Sequence, residues 1–205
     1  LPNLLKHIHN LKNVFGLPVV VAINRFVSDS DAELAAIKAA CTEAGAEVSL
    51  TEVWAKGGEG GADLAHKVVA AIDGQQGQSA PAFRFAYDAN DSIRNKIHAI
   101  ATKIYGAAGV EFSAEAQAEI ANLERLGLDK LPICMAKTQY SLSDNAKLLG
   151  CPSGFTVNVR GITVSAGAGF IVALCGTMMK MPGLPKVPAA ERIDVDEHGV
   201  ISGLF

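Results

Sequence analysis

The chain has 205 residues, of which 49% are hydrophobic, 19% charged and 6% aromatic. That apolar supply excludes wholesale disorder, and the length allows at most two small domains. Its 18 basic and 21 acidic residues leave a net charge of −3 with no long block of either sign, which excludes an extended basic groove for nucleic acid and a polybasic membrane arm.

Residues 3–14 place Leu4, Leu5, Ile8 and Leu11 on one side and predict a helix ended by Gly16. The opening residues are amphipathic and include Lys6 and Lys12, unlike a secretory leader. The chain starts without methionine on what reads as a helix already in progress, so a fragment is expected. Residues 19–23 (VVVAI) are a continuous run rich in β-branched side chains, the pattern of a central parallel strand covered on both faces. Ser30 followed by Glu33 predicts a capping box. The helix after it carries Leu34, Ile37, Cys41 and Ala44, and Gly45 closes it. A second strand is expected near 48–53, then a glycine-rich loop at 56–61, then a helix with Leu64, Val68 and Ile72. This alternation is the rhythm of an α/β doubly wound sheet.

The segment 74–82 (GQQGQSAPA) is polar and without periodicity, and reads as a linker. Beyond it Ile93, Ile97, Ile100 and Ile104 form a helical stripe stopped by Gly106. Ser113 caps a helix through Leu126, ended by Gly127. From Leu131 the texture turns to short β-like runs at 131–136, 155–164 and 170–175, with a final hairpin near 193–201 turned by 196–199 (DEHG). The expected class is α/β: a partial doubly wound, mostly parallel sheet over 1–73, the linker 74–82, and a smaller mixed α+β domain over 83–205. Residues 161–179 carry no charge, long enough for a membrane span. Gly161, Gly167, Gly169 and Gly176 among Thr163, Ser165 and Thr177 favour two buried strands and a turn instead. Cys41, Cys134, Cys151 and Cys175 form no C-x-x-C pair and no Cys–His metal spacing, and are expected to be reduced, buried thiols of a cytosolic protein. His7 and His9, two apart, do not share a helical face.

Five segments carry candidate chemistry. Asn24, Arg25 and Phe26 follow the first strand, and ligands in open α/β sheets bind beyond the carboxyl ends of strands. A guanine-reading N-K-x-D loop occupies such a place, but here Arg25 and Val27 replace its Lys and Asp. The second segment, 54–61 (WAKGGEGG), lets backbone approach a ligand, and the lone tryptophan, Trp54, offers a flat stacking face. No Walker A pattern occurs in the chain. The third, 136–141 (AKTQYS), puts Lys137 and Gln139 after a strand. The fourth, 165–170 (SAGAGF), lacks the third glycine of a dinucleotide fingerprint. The fifth, 181–186 (MPGLPK) with Pro188 behind, is a stiff extended loop. Read locally, they indicate an α/β protein with a flat-ligand site.

In their order, 19–26 (VVVAINRF), 52–61 (EVWAKGGEGG), 103–113 (KIYGAAGVEFS), 131–144 (LPICMAKTQYSLSD), 165–172 (SAGAGFIV), 181–190 (MPGLPKVPAA) and the terminal GLF resemble formate–tetrahydrofolate ligases over essentially the whole chain. The family is longer, and its phosphate-binding loop and a second glycine-rich signature lie in an N-terminal half that this sequence does not match. The resemblance therefore implies a C-terminal portion of a cytoplasmic, homotetrameric enzyme. That enzyme uses ATP with Mg²⁺, supported by a monovalent cation such as K⁺, to make 10-formyltetrahydrofolate from formate and tetrahydrofolate through formyl phosphate. ATP and metal would fall mostly to the N-terminal half, and this stretch alone is expected to be inactive. The resemblance puts Phe26 and Trp54 on the two faces of the pterin ring, with Asn24, Lys56, Gly57 and Gly58 as candidate neighbours. Lys137 and Gln139 fall in a matching segment without an assigned role. Val27-Ser28 depart from the Pro-Thr common among relatives. Catalytic residues are not assigned, and neither a metal ligand, a nucleic acid nor a membrane is expected. The alternative is a non-catalytic α/β binding or oligomerisation module with both rings in its core. A stand-alone nucleotide switch is opposed by the absent phosphate loop.

Overall fold

The computed structural model describes residues 1–74, 83–178 and 186–203. The predicted linker, Gly74 apart, lies outside them, as do residues 181–185 of the proline-rich loop and the last two residues of the terminal GLF.

Helix α1 (Pro2–His9) starts on a proline, where a missing N–H costs nothing. It widens into a single π turn, Asn10–Val14, before Gly16 (φ 73°) redirects the chain into β1 (Val20–Asn24). The expected capping box forms at α2 (Asp31–Glu43): Ser30 Oγ accepts from the Glu33 N–H at 3.3 Å, and Glu33 Oε2 accepts from the Ser30 N–H at 3.0 Å. Lys12 Nζ donates to the Ala44 and Gly45 carbonyls at 2.9 and 2.6 Å, setting a cation on the negative end of α2. Strand β2 (Glu47–Thr51) runs parallel to β1, with Asn24 opposite Thr51. Burial of β1 on both faces is not found. Val21 and Ile23 pack toward the cluster of Ile8, Cys41, Ala46 and Val48, whereas Ala22 and Asn24 are exposed. The register partners of Ala22 and Asn24 on β2, Ser49 and Thr51, are buried, so that face is covered over β2 but not over β1.

After β2 the chain winds through a one-turn helix α3 (Val53–Lys56), a 3₁₀ turn (Gly57–Gly61) and α4 (Ala62–Asp73). The predicted stripe on α4 is not a buried face, since Val68 and Ile72 are exposed. Polar bonds tie α4 to β2 instead: Ser49 Oγ donates to Asp63 Oδ2 at 2.6 Å, and Lys67 Nζ donates to the Val48 carbonyl at 2.6 Å.

The isoleucine stripe spans α5 (Ile93–Ala99), N-capped by Ser92, and a second π turn, Ile100–Tyr105, ended by Gly106 in the left-handed region. Strand β3 (Gly109–Phe112), not anticipated from the sequence, precedes α6 (Ala114–Arg125), which Ser113 caps and Gly127 (φ 71°) terminates. Strands β4 (Ile133–Ala136), β5 (Thr156–Ser165) and β6 (Phe170–Cys175) complete a mixed sheet in the order β3-β5-β6-β4. Within it β3–β5 and β4–β6 are parallel and β5–β6 antiparallel. The uncharged stretch is thus mainly the β5–β6 pair, and no helix among the described residues is long and apolar enough to cross a membrane. A short hairpin, β7 (Asp194–Val195) and β8 (Ile201–Ser202), closes through a turn in which the Gly199 N–H donates to the Asp196 carbonyl. The fold is mixed α/β, and its larger buried cluster, around Ile93, Ile97, Ile120, Val157 and Ile171, lies in the second part. All four cysteines are free, but burial holds only for Cys41 and Cys175. Cys134 is exposed on β4 and Cys151 in a loop.

Candidate functional site

The carboxyl ends of β1 and β2 lie side by side, and each feeds an aromatic residue into solvent. Phe26 follows two residues after Asn24 and Trp54 three after Thr51, and both are 60% exposed. Exposing two large rings wastes burial worth about 1.5–3 kcal/mol each unless something covers them. The Arg25 N–H donates to the Thr51 carbonyl at 3.1 Å, which extends the strand pairing into the loops. The Trp54 indole N–H then donates to the Arg25 carbonyl at 2.8 Å, pinning the ring next to the Phe26 turn. That turn is closed on itself: the Phe26 N–H donates to Asp29 Oδ2 at 2.8 Å, and the Asp29 N–H returns to the Phe26 carbonyl at 3.1 Å. Phe26 and Trp54 do not stack on each other; among the described residues the paired rings are Phe15–Phe83 and Phe83–Phe85.

Charge is arranged behind the rings. The Arg25 guanidinium lies 3.6 Å from Asp31 and 3.8 Å from Glu52, and Glu52 is 2.5 Å from Lys56 Nζ. The Lys56 hydrogen bond, with the charges of Lys56 and Arg25 behind it, holds the Glu52 carboxyl below the usual range. Lys56 is therefore committed to Glu52. Asn24 ends β1 with an exposed side chain. Gly57 has φ 59° and ψ −142°, a conformation for glycine alone, whereas a Cβ on Gly58 would meet nothing within 4 Å. Gly60 lies against the Glu52 backbone, where a Cβ would come within 2.6 Å. The glycines thus serve a tight 3₁₀ turn folded onto the end of β2, rather than an open phosphate cradle. Among the described residues no group of three His, Cys, Asp or Glu is placed to hold a metal ion.

Lys137 and Gln139 lie elsewhere, on a 310 Å³ cavity lined also by Asn3, His7, Tyr105 and Tyr140, and by none of the residues around Phe26 and Trp54. Lys137 Nζ donates to the Thr138 carbonyl at 3.0 Å and to the Ser141 carbonyl, and sits 4.8 Å from the centre of the Tyr105 ring. Burial lowers the Lys137 pKa, and burial also pushes the Tyr105 hydroxyl and the Cys175 thiol up to about 12. A larger groove of 860 Å³ between Phe15, Phe85, Tyr87 and Ile104 is mainly apolar and shares no residue with either place.

Sequence reasoning reached Phe26 and Trp54 but not what positions them. Asp29, three residues after Phe26, is a local turn signal that was available. The Glu52 hub was legible only in part, through the i,i+4 spacing to Lys56. The company of Lys137 has no local signal, because Asn3, His7 and Tyr105 lie far away in the chain.

A family model for formate–tetrahydrofolate ligase matches residues 1–205. A formate–tetrahydrofolate ligase from Psychrobacter sp. (strain PRwf-1) is 60% identical over 205 residues, which is all of this chain and 36% of that protein. The chain therefore spans little more than a third of the length of that relative.

Proposed function

Because this chain belongs to the formate–tetrahydrofolate ligase family, we propose that it is the folate-stacking part of such an enzyme, with the pterin ring held between Phe26 and Trp54. The observation that carries the reading is the Trp54 indole tied to the Arg25 carbonyl, with both rings 60% exposed at the ends of paired parallel strands. Two π faces grip a flat heterocycle and leave its edge to polar groups, for which Asn24 and the 56–58 backbone stand nearest in sequence. The alternative of both rings in a core does not fit their exposure.

In the whole enzyme, formate attacks the γ-phosphorus of ATP, giving formyl phosphate and ADP. The folate N10 then attacks the formyl carbon, phosphate leaves, and the proton on nitrogen is lost. The role proposed for this chain is to orient the folate and keep water from its bound face. ATP, Mg²⁺ and a cation such as K⁺ belong in this reading to the remainder of the enzyme, and so does phosphate chemistry. A cytoplasmic homotetramer, and a division into 1–73 and 83–205 joined by 74–82, complete the proposal.

The test uses the full-length enzyme that contains this chain. Trp54→Ala and Phe26→Ala are expected to raise the KM for tetrahydrofolate about tenfold or more, equivalent to about 1.4 kcal/mol of lost stacking and burial. The KM for ATP and the circular dichroism should stay unchanged. In the 205-residue chain, anaerobic tetrahydrofolate should quench Trp54 fluorescence saturably. Unchanged folate kinetics in both variants would reject the stacking role.

A further inference from the structure

The cavity around Lys137 has a composition that the stacking site does not use. Tyr105 and Met135 give it an apolar wall, and no carboxylate lines it. Its one full charge, Lys137, is held by two main-chain carbonyls and an aromatic face, contacts that fix an ammonium in place without neutralising it. The carboxylate that acts on it, Asp144, is engaged by the Asn158 backbone and side-chain N–H groups at 2.9 and 3.0 Å. On the rim, the side chains of Asn3, His7 and Gln139 and the Tyr140 hydroxyl have no hydrogen-bond partner among the described residues. At 310 Å³ the cavity is at the small end of ligand sites.

Its placement adds a second argument. A short turn at 15–19 separates the helical segment 2–14 from β1, and Leu4, Leu5 and Ile8 pack in the same cluster as Val19, Val21 and Ile23. The helix that carries Asn3 and His7 is therefore packed in the same cluster as β1, the strand that leads to Phe26. Lys137 follows β4 directly.

We infer that this cavity takes the aminobenzoyl-glutamate half of the folate whose pterin ring stacks on Phe26 and Trp54, with the glutamate carboxylates toward Lys137 and His7 and the aryl amide against Gln139 and Tyr140. The inference rests on the folate reading above.

The probe is N-(4-aminobenzoyl)-L-glutamate, which has the tail and no pterin, titrated into the 205-residue chain by calorimetry beside anaerobic tetrahydrofolate. Gln139→Ala and His7→Ala alter exposed side chains and should keep the fold, as checked by circular dichroism; Lys137→Gln is the stronger and riskier variant. The fragment should bind saturably, about three- to tenfold weaker in each exposed variant, as for one lost hydrogen bond, and undiminished in Trp54→Ala. No saturable binding up to about 10 mM, or binding indifferent to Gln139 and His7, overturns the inference. Tetrahydrofolate affinity that falls in Trp54→Ala but not in Gln139→Ala or His7→Ala overturns it while leaving the stacking site standing. Fragment binding that depends on the cavity, beside tetrahydrofolate binding that ignores Trp54, rejects the stacking site, and with it the assignment of this cavity to a folate tail.

Discussion

Single residues set the response of this chain to alkali. Burial keeps the Cys175 thiol and the Tyr105 hydroxyl protonated in the folded state, to about 12 in each case, against ordinary values of 9.0 and 10.0. The sign follows from proton counting. Between 9.0 and about 12 the unfolded chain releases the thiol proton while the folded chain keeps it, so the unfolded state gains as pH rises. Each such group removes up to about 1.4 kcal/mol per pH unit within its window. Lys96 and Lys137 act in the opposite sense: burial lowers both, and below 10.5 their unfolded forms hold more protons, so their contribution rises with pH. Between pH 9 and 10 the two lysines oppose the thiol, so the test is a difference: in urea titrations at pH 8, 9 and 10, Cys175→Ala, though less stable throughout, should lose less stability or gain more than the parent as pH rises. Equal slopes in the two proteins would show that Cys175 titrates alike in both states. None of this was legible in the sequence. Lys96 reads as an ordinary position on a helix, yet it is fully buried and donates to the Asp129 and Leu131 carbonyls at 2.8 and 3.1 Å, partners 33 and 35 residues away.

At the scale of elements, what could be read was what is local. Ser30 with Glu33, Ser113, Gly45 and Gly127 mark helix ends through bonds spanning a few residues, and each stands where expected. The two π turns and β3 were not legible. A π turn leaves the apolar periodicity nearly intact, and four residues of strand carry too little pattern to separate from a loop. The ends of β1 and β2 were legible as places for a site, but the tie between Trp54 and Arg25 was not, because it crosses between loops. The 57–61 turn is the element whose shape matters most to that site, and its glycines are unequal. Gly57→Ala forces an alanine to φ 59° and should cost about 1–3 kcal/mol through backbone strain alone. Gly60→Ala drives a Cβ into the Glu52 main chain and should displace the turn, with Trp54 fluorescence reporting the change. Gly58→Ala meets open space and should be neutral within about 0.5 kcal/mol. Urea titrations of the three variants check the ranking, and equal losses would mean the turn is not held in this shape.

At the scale of the whole molecule, the described residues form two cores of unequal size, and this decides how it should come apart. Thirteen buried residues form the cluster around Ile93, Ile120 and Val157, against four in the cluster of Ile8, Cys41, Ala46 and Val48. The contacts between the two parts include polar bonds at the helical bends. Asn10 Nδ2 donates to the Ile104 carbonyl at 2.9 Å, and the Arg84 guanidinium donates to the Asn13 and Val14 carbonyls at 2.7 and 3.3 Å. Such bonds contribute about 1 kcal/mol each, and the apolar junction beside them is small, the Phe15–Phe83 ring pair at 5.9 Å with an open groove next to it, so cores so different are expected to unfold separately. Trp54, the lone tryptophan, sits in the part with the smaller core and reports on it alone. In urea, its fluorescence should change at a lower denaturant concentration than far-ultraviolet circular dichroism, which sums over both parts. Amide protection should follow the same order, lower in β1 and β2 than in β5 and β6. On the proposed folate reading, tetrahydrofolate stacked on Phe26 and Trp54 with its tail in the cavity that both parts line should draw the two transitions together, since a ligand held by both parts links their unfolding. Coincident transitions without ligand would mean that the two cores unfold as one, and that the division at 74–82 has no thermodynamic meaning.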